Sequence, residues 1–98
     1  MLLGRVAGTL VASRKDEGLT GQTFLLVRQL DLDGVEAAGS VVAVDSVGAG
    51  EGDVVLWASG SSARQTELTR DRPCDAVVMA IVDSWDIEGE PKYSKNQE

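Results

Sequence analysis

Residues 41–64 read VVAVDSVGAGEGDVVLWASGSSAR, and residues 72–87 read RPCDAVVMAIVDSWDI. Both segments combine turn-forming residues with short apolar runs that are rich in Val. Such β-branched runs favour strands, while glycines beside them mark tight turns or close approach to another chain. The two segments therefore predict buried strands over residues 53–59 and 76–87. They also indicate a protein that acts through close packing of its backbone rather than through catalysis.

The rest of the chain predicts three more strands. Over residues 2–12, one set of alternate positions is apolar or glycine, as expected for a half-buried strand. A second strand is predicted over residues 24–30. Asp33-Gly34 then predicts a tight hairpin turn with positive φ at both positions, which leads into a third strand over residues 36–44.

One short helix is predicted over residues 60–68, before the last strand. Ser61 or Ser62 can serve as its N-cap, and Gln65 follows Ser62 at the spacing of a capping box. Arg72-Pro73 then returns the chain to an extended conformation, because proline disfavours the helical conformation in the residue before it.

These elements predict an all-β fold, a small OB-like five-stranded β-barrel over residues 1–87. The 98 residues suffice for one domain, and five strands are too few for two independent sheets. Gly4 and Gly8 would let the first strand bend around a small barrel. Residues 88–98 are predicted to be a polar C-terminal tail, either mobile or docked on a neighbour through Tyr93.

The composition gives little support for catalysis. The chain has no histidine, the commonest general base and metal ligand, and its one cysteine, Cys74, is typical of a small buried side chain. Asp83 and Asp86 are a candidate acid–base pair, but residues three apart on a strand point to opposite faces. We predict no catalytic residue, no metal and no cofactor.

The charge of the chain bears on its partners. A formal net charge of −7 would repel a phosphate backbone, and two Trp, one Tyr and one Phe are few for a base-stacking platform. No apolar run is long enough to cross a bilayer, so we predict a cytoplasmic protein without nucleic-acid or membrane partners. The alternative function for such a barrel is binding of single-stranded nucleic acid or an oligosaccharide.

Four pieces of the sequence, in this order, resemble the EutN/CcmL family of bacterial microcompartment shell proteins. They are GTLVAS at residues 8–13 with Lys15, VDSVGAG at residues 44–50, GSSAR at residues 60–64, and RPCDA at residues 72–76 leading into AIVD at residues 80–83. The resemblance covers residues 2–87, which is nearly the whole predicted domain.

The resemblance implies a structural protein in the shell of a cytoplasmic bacterial microcompartment. In that family an OB-like barrel forms a homopentamer that caps the vertices of the shell, and hexameric shell proteins tile the facets. Such caps occur in carboxysomes and in ethanolamine, propanediol and glycyl-radical compartments. The acidic charge and the absence of histidine fit all of these.

The resemblance also implies a narrow central pore, lined by Ser13, Gly48, Ala49 and Gly50. The alternative is that these glycines only form tight turns. Lys15, at a basic position of the family, could favour passage of anionic metabolites through such a pore, or it could lie in a solvated turn.

Charged residues inside the same motifs are the candidates for the subunit interface. Arg64 and Arg72 could donate charge-assisted hydrogen bonds to nearby carboxylates across that interface. The alternative is that they brace the helix against the barrel within one chain. The full interface set is Lys15, Asp45, Arg64, Arg72, Asp75 and Asp83.

Overall fold

The computed structural model of the protein describes residues 1–13, 15–71 and 74–97, with no account of the Gln97 side chain. Its strands within these residues are β1 (Leu2–Leu10), β2 (Phe24–Leu30), β3 (Glu36–Asp45), β4 (Val54–Ser59), β5 (Ala76–Ile81), β6 (Ser84–Ile87) and β7 (Glu90–Ser94). Short 3₁₀ helices span Glu17–Leu19, Gly60–Arg64 and Lys95–Gln97.

The first five strands form a closed barrel in the order β1-β2-β3-β5-β4, with β4 pairing back onto β1. The contact between β3 and β5 is parallel and short, joining Val44 to Val77 and Asp45 to Val78. The other barrel contacts are antiparallel. Because the barrel sheet closes on itself, each of its five strands is paired on both sides and none is a free edge. This closed barrel confirms the predicted all-β, five-stranded fold.

The barrel interior is filled by one cluster of apolar side chains. This interior cluster consists of Val6, Leu25, Val27, Ala43, Val55, Trp57, Ala76 and Val78. Gly4 faces the same space, where a Cβ atom would overlap the Val27 side chain and would lie 3.0 Å from the Trp57 ring. Gly4 was predicted to let the first strand bend, but the structure shows that it also leaves room for the core.

A second cluster lies outside the barrel wall. It contains Val44, Ala58, Ala63, Cys74 and Val77. Because neighbouring residues on a strand point to opposite faces, Val44, Ala58 and Val77 face outward, where Ala63 from the 3₁₀ helix packs on them. Burial raises the pKa of the Cys74 thiol, as expected for a cysteine that serves as a small buried side chain.

The predicted helix over residues 60–68 is too long. Only the 3₁₀ turn Gly60–Arg64 forms, and its N-cap residue, Ser59, makes no side-chain cap hydrogen bond. Beyond it, the hydroxyls of Thr66 and Thr69 are 2.6 Å apart and the Thr69 amide donates to Thr66 Oγ1 at 3.1 Å. Such local side-chain bonds compete with helix formation.

The single strand predicted over residues 76–87 is in fact two strands. β5 ends at Ile81, and β6 leaves the barrel to form a separate hairpin with β7. Glu88 and Gly89 connect them with φ of +52° and +82°, as a tight two-residue hairpin turn requires. Residues 90–94, within the segment predicted to be a polar tail, are therefore a paired strand.

The β6–β7 hairpin is attached to the β2–β3 turn. Trp85 stacks on Tyr93 with 5.1 Å between ring centroids, and Trp85 Nε1 donates to the Leu32 carbonyl at 2.8 Å. Gly34 lies beneath the Trp85 ring and has φ of +81°. Asp33 does not share this positive φ, so the turn is not the two-residue type that the sequence predicted.

Candidate functional site

The loop between β3 and β4, residues 46–53, contains most of the predicted pore residues. At its start, Asp45 Oδ1 accepts hydrogen bonds from the amides of Val47, Gly48 and Ala49 at 3.0, 3.1 and 3.3 Å. One carboxylate oxygen thus holds three successive backbone donors. This arrangement fixes the first half of the loop from within the chain.

The second half of the loop is held by Asp53 and by β1. Asp53 Oδ2 accepts from the Gly50 amide at 2.8 Å, and the Gly52 amide donates to the Val6 carbonyl at 2.8 Å. The Val6 amide donates in return to the Asp53 carbonyl at 2.9 Å. Hydrogen bonds within the chain therefore hold the loop at both of its ends.

The three predicted pore residues of this loop differ in their surroundings. Gly48 and Gly50 are exposed, whereas Ala49 is half-buried and packs against the interior cluster. Gly48 has φ of +77°, and no atom lies within 4 Å of the place where its Cβ would be. Its backbone conformation, rather than lack of space, is what favours glycine there.

Ser13 and Lys15 lie in the loop after β1, and both are exposed. Lys15 Nζ donates to the Ala12 carbonyl at 3.2 Å. The sheet register pairs Leu10 with Phe24 and Phe24 with Val44, so this loop leaves the barrel at the end where β3 gives way to residues 46–53. The fold thus brings the two predicted pore segments to one end of the barrel, while the pore itself stays a prediction.

Replacing Asp45 with Ala is expected to loosen the loop. Three amides would lose their acceptor, and we expect a loss of about 1–3 kcal/mol in the free energy of unfolding. Asp45→Asn keeps an acceptor oxygen and should lose less. Hydrogen exchange of residues 47–49 measures the effect directly, and unchanged protection in Asp45→Ala would contradict the assigned role.

The predicted interface residues make contacts within their own chain. Arg64 Nη1 donates to the Cys74 carbonyl at 3.2 Å, which braces the 3₁₀ helix against the approach to β5. Asp75 and Asp83 are exposed, and their carbonyls accept from the amides of Gly60 and Lys95, both at 2.8 Å. Arg72 lies outside the described residues.

Among the described residues, no salt bridge links Arg64 to Asp45, Asp75 or Asp83. The salt bridges between described residues include those of Arg28 with Glu36, of Lys92 with Asp33 and Glu90, and of Lys95 with Asp53. The contact of Arg64 therefore agrees with the alternative that this residue braces the helix against the barrel within one chain. A role for this set in contacts between subunits stays a prediction.

The outer wall of the barrel has exposed apolar residues that were not predicted from the sequence. Leu26 and Val42, opposite each other on β2 and β3, are 37% and 48% exposed. Strict alternation would put polar residues at such outward positions, whereas residues 24–27 and 41–44 are apolar without interruption. These two uninterrupted runs were the signal of apolar residues on the outer face of the barrel.

The described residues contain no group of three His, Cys, Asp or Glu side chains that could hold a metal ion. Among them there is also no helix with the length and apolar character needed to cross a membrane. The fold and its surfaces define the chain as a small OB-like barrel with an exposed apolar wall and ordered loops at one end.

The model of the family described as "Ethanolamine utilisation protein EutN/carboxysome" matches residues 1–83, and the chain belongs to this family. The carboxysome shell vertex protein CcmL of Gloeobacter violaceus is 42% identical over 98 residues, covering 100% of this chain and 98% of the relative. The solved structure of Gloeobacter violaceus CcmL superposes with a TM-score of 0.94 at 43% identity, covering 98% of this chain and 99% of that one.

A second solved relative is the GrpN pentameric microcompartment shell protein from Rhodospirillum rubrum. It superposes with a TM-score of 0.81 at 40% identity, covering 89% of this chain and 100% of that one. The relatives of this chain thus include a carboxysome shell vertex protein and a pentameric microcompartment shell protein, and this barrel has the same fold.

Proposed function

We propose that this protein is a structural shell protein, forming a homopentamer that caps the vertices of a bacterial microcompartment. The observation that carries the proposal is the match of its barrel to the pentameric GrpN shell protein over 89% of the chain. The similarity to carboxysome shell vertex proteins over the full length supports the same role. On this account the protein acts in the bacterial cytoplasm as part of a shell.

The vertex role has a geometric basis. A flat layer of hexagonal tiles cannot close on itself, whereas a five-fold unit at each corner supplies the curvature that closure needs. A ring of five identical subunits is closed by a repeated head-to-tail contact, in which two different patches of each subunit meet. Hexameric shell proteins are the partners expected around such a ring.

We propose neither an enzymatic role nor nucleic-acid binding for this protein. The chain has no histidine, and its net charge of −7 opposes binding to a phosphate backbone. No cofactor is required, because a vertex cap acts through its shape and its contacts.

The proposal includes a narrow pore on the five-fold axis. Exposed Gly48 and Gly50 and exposed Ser13 extend from the same end of the barrel, which supports their placement around that axis. Lys15, also exposed there, would add one positive charge per subunit and would favour anionic solutes. Lys15→Glu should reduce the passage of an anionic probe into closed shells.

Shell assembly tests the vertex role. Co-expression with hexameric shell proteins should give closed polyhedral particles in electron micrographs, and omission of this protein should give open or elongated assemblies. Particles that close equally well without it, while none of it copurifies with them, would contradict the vertex role.

A further inference from the structure

We propose that the β6–β7 hairpin, residues 84–94, is a strap that orders the β2–β3 turn and opens from the barrel as one unit. The strap is a two-stranded sheet of its own, and none of its residues belongs to the interior cluster or to the second cluster. It is therefore distinct from the core that holds the barrel together. The inference concerns contacts within one chain and does not rest on the proposed pentamer.

The barrel is complete before the strap begins, since its last strand, β5, ends at Ile81. The family match also stops at residue 83, and β6 begins at Ser84. GrpN is matched over 100% of its length by 89% of this chain, so a barrel of this family is complete in a shorter chain. Opening of the strap alone is thus expected to leave the barrel intact.

Trp85 is the principal contact between the strap and the β2–β3 turn, residues 31–35. Its Nε1 donates to the Leu32 carbonyl at 2.8 Å, and a Cβ at Gly34 would lie 3.7 Å from its ring. On the strap itself, the ring stacks on Tyr93 with 5.1 Å between centroids. One side chain therefore joins the second strand of the strap to the turn.

A charged contact adds to this attachment. Lys92 Nζ lies 3.5 Å from Asp33 Oδ1 of the turn and 3.6 Å from Glu90 Oε1 of the strap. The two carboxylates are largely exposed, and exposed ion pairs stabilise a fold only weakly. We therefore expect Trp85 to contribute more than Lys92.

The turn beneath Trp85 has little burial of its own. Leu32 and Val35 are 65% and 60% exposed. The Asp31 amide donates to the Val35 carbonyl at 2.9 Å, and Asp31 Oδ1 accepts from the amides of Asp33 and Val35 at 2.9 and 3.0 Å. Exposed backbone hydrogen bonds with few buried apolar contacts open at low free energy. The strap supplies the cover that the turn lacks.

The strap is anchored to the barrel at its base. The Val82 amide donates to the Val54 carbonyl, and the Lys95 amide donates to the Asp83 carbonyl, both at 2.8 Å. Between these points every residue of the strap is at least partly exposed. A paired segment with no fully buried residue is expected to open separately from the core.

Hydrogen exchange of the full-length protein in increasing denaturant tests the strap. The Asp31 amide reports on the turn, and the protected amides of residues 84–94 report on the strap. Both should exchange through one shared opening of low free energy. The Val6 and Asp45 amides, which bond within the barrel, should exchange only through a costlier opening.

Trp85→Ala should raise the exchange rate of the Asp31 amide and of the strap amides by about 10- to 100-fold, because a hydrogen bond and a ring stack are lost. Trp85→Phe keeps a ring opposite Tyr93 but loses the donor, so its rise should be smaller. Asp86→Ala, at an exposed position next to Trp85, is the matched control and should leave both sets of rates unchanged. Circular dichroism checks that each variant is folded.

Two results would overturn the inference. Unchanged exchange of the Asp31 amide in Trp85→Ala would show that the turn is ordered without the strap. An equal rise at the Val6 and Asp45 amides would show that the strap belongs to the cooperative unit of the barrel. A rise confined to the turn and the strap, and absent from Asp86→Ala, would support it.

Discussion

Gly4→Ala is expected to destabilise the barrel by about 1–3 kcal/mol, the usual cost of forcing an extra methyl group into a full core. The new Cβ would overlap the Val27 side chain and would press on the Trp57 ring at 3.0 Å. Neither neighbour can move away cheaply, because Val27 is 1% and Trp57 5% exposed within the interior cluster. Urea denaturation at one fixed protein concentration measures the loss, since subunit association also contributes to stability.

Gly8→Ala on the same strand is the matched control. A Cβ at Gly8 would lie 3.9 Å from Leu26 Cδ1, an ordinary van der Waals contact. We expect a change within about 0.5 kcal/mol, as for most surface substitutions. Equal effects of the two alanine substitutions would show that packing at Gly4 is not the cause.

Leu25→Ala is expected to have the largest effect, a loss of about 2–5 kcal/mol from lost burial and the cavity left behind. Leu25 is 1% exposed and packs in the interior cluster between β1 and β3. The urea midpoint should fall sharply while the slope of the transition stays similar.

Leu68→Ala is the control for this substitution, because Leu68 is 40% exposed and lies outside the interior cluster. It should lose well under half of what Leu25→Ala loses. A Leu25→Ala protein as stable as the Leu68→Ala protein would contradict the assignment of the barrel interior.

The barrel could be predicted from the sequence because its signals are local. The β-branched runs at residues 53–59 and 76–81, the first of them flanked by glycines, specify buried strands, and the predicted bounds of β2 agree with the structure. The β6–β7 hairpin was missed because Val82, Trp85 and Ile87 place further apolar residues after β5 with no glycine or proline between them. Glu88-Gly89 is also a weaker turn signal than Asn-Gly or Asp-Gly.

The candidate site was predictable only in part. The glycine-rich motif correctly indicated an ordered loop, and the need for positive φ at Gly48 follows from its residue type. The inward packing of Ala49 and the bond from Arg64 to the Cys74 carbonyl depend on where distant segments meet. Spacing along the sequence carries no information about such long-range contacts.

The exposed apolar wall shows the same difference between local and long-range information. An uninterrupted apolar run such as residues 24–27 predicts a strand with both faces covered. In the isolated chain one of those faces is partly open at Leu26, which is 37% exposed. The apolar run is visible in the sequence, whereas the exposure of its outward side chain is visible only in the folded chain.

The mass of the purified protein in solution tests the central claim most directly. Light scattering after size exclusion should give a mass of about five subunits of 10.3 kDa each, unchanged over a broad range of loading concentration. A mass of one subunit at every concentration would contradict the pentameric vertex role.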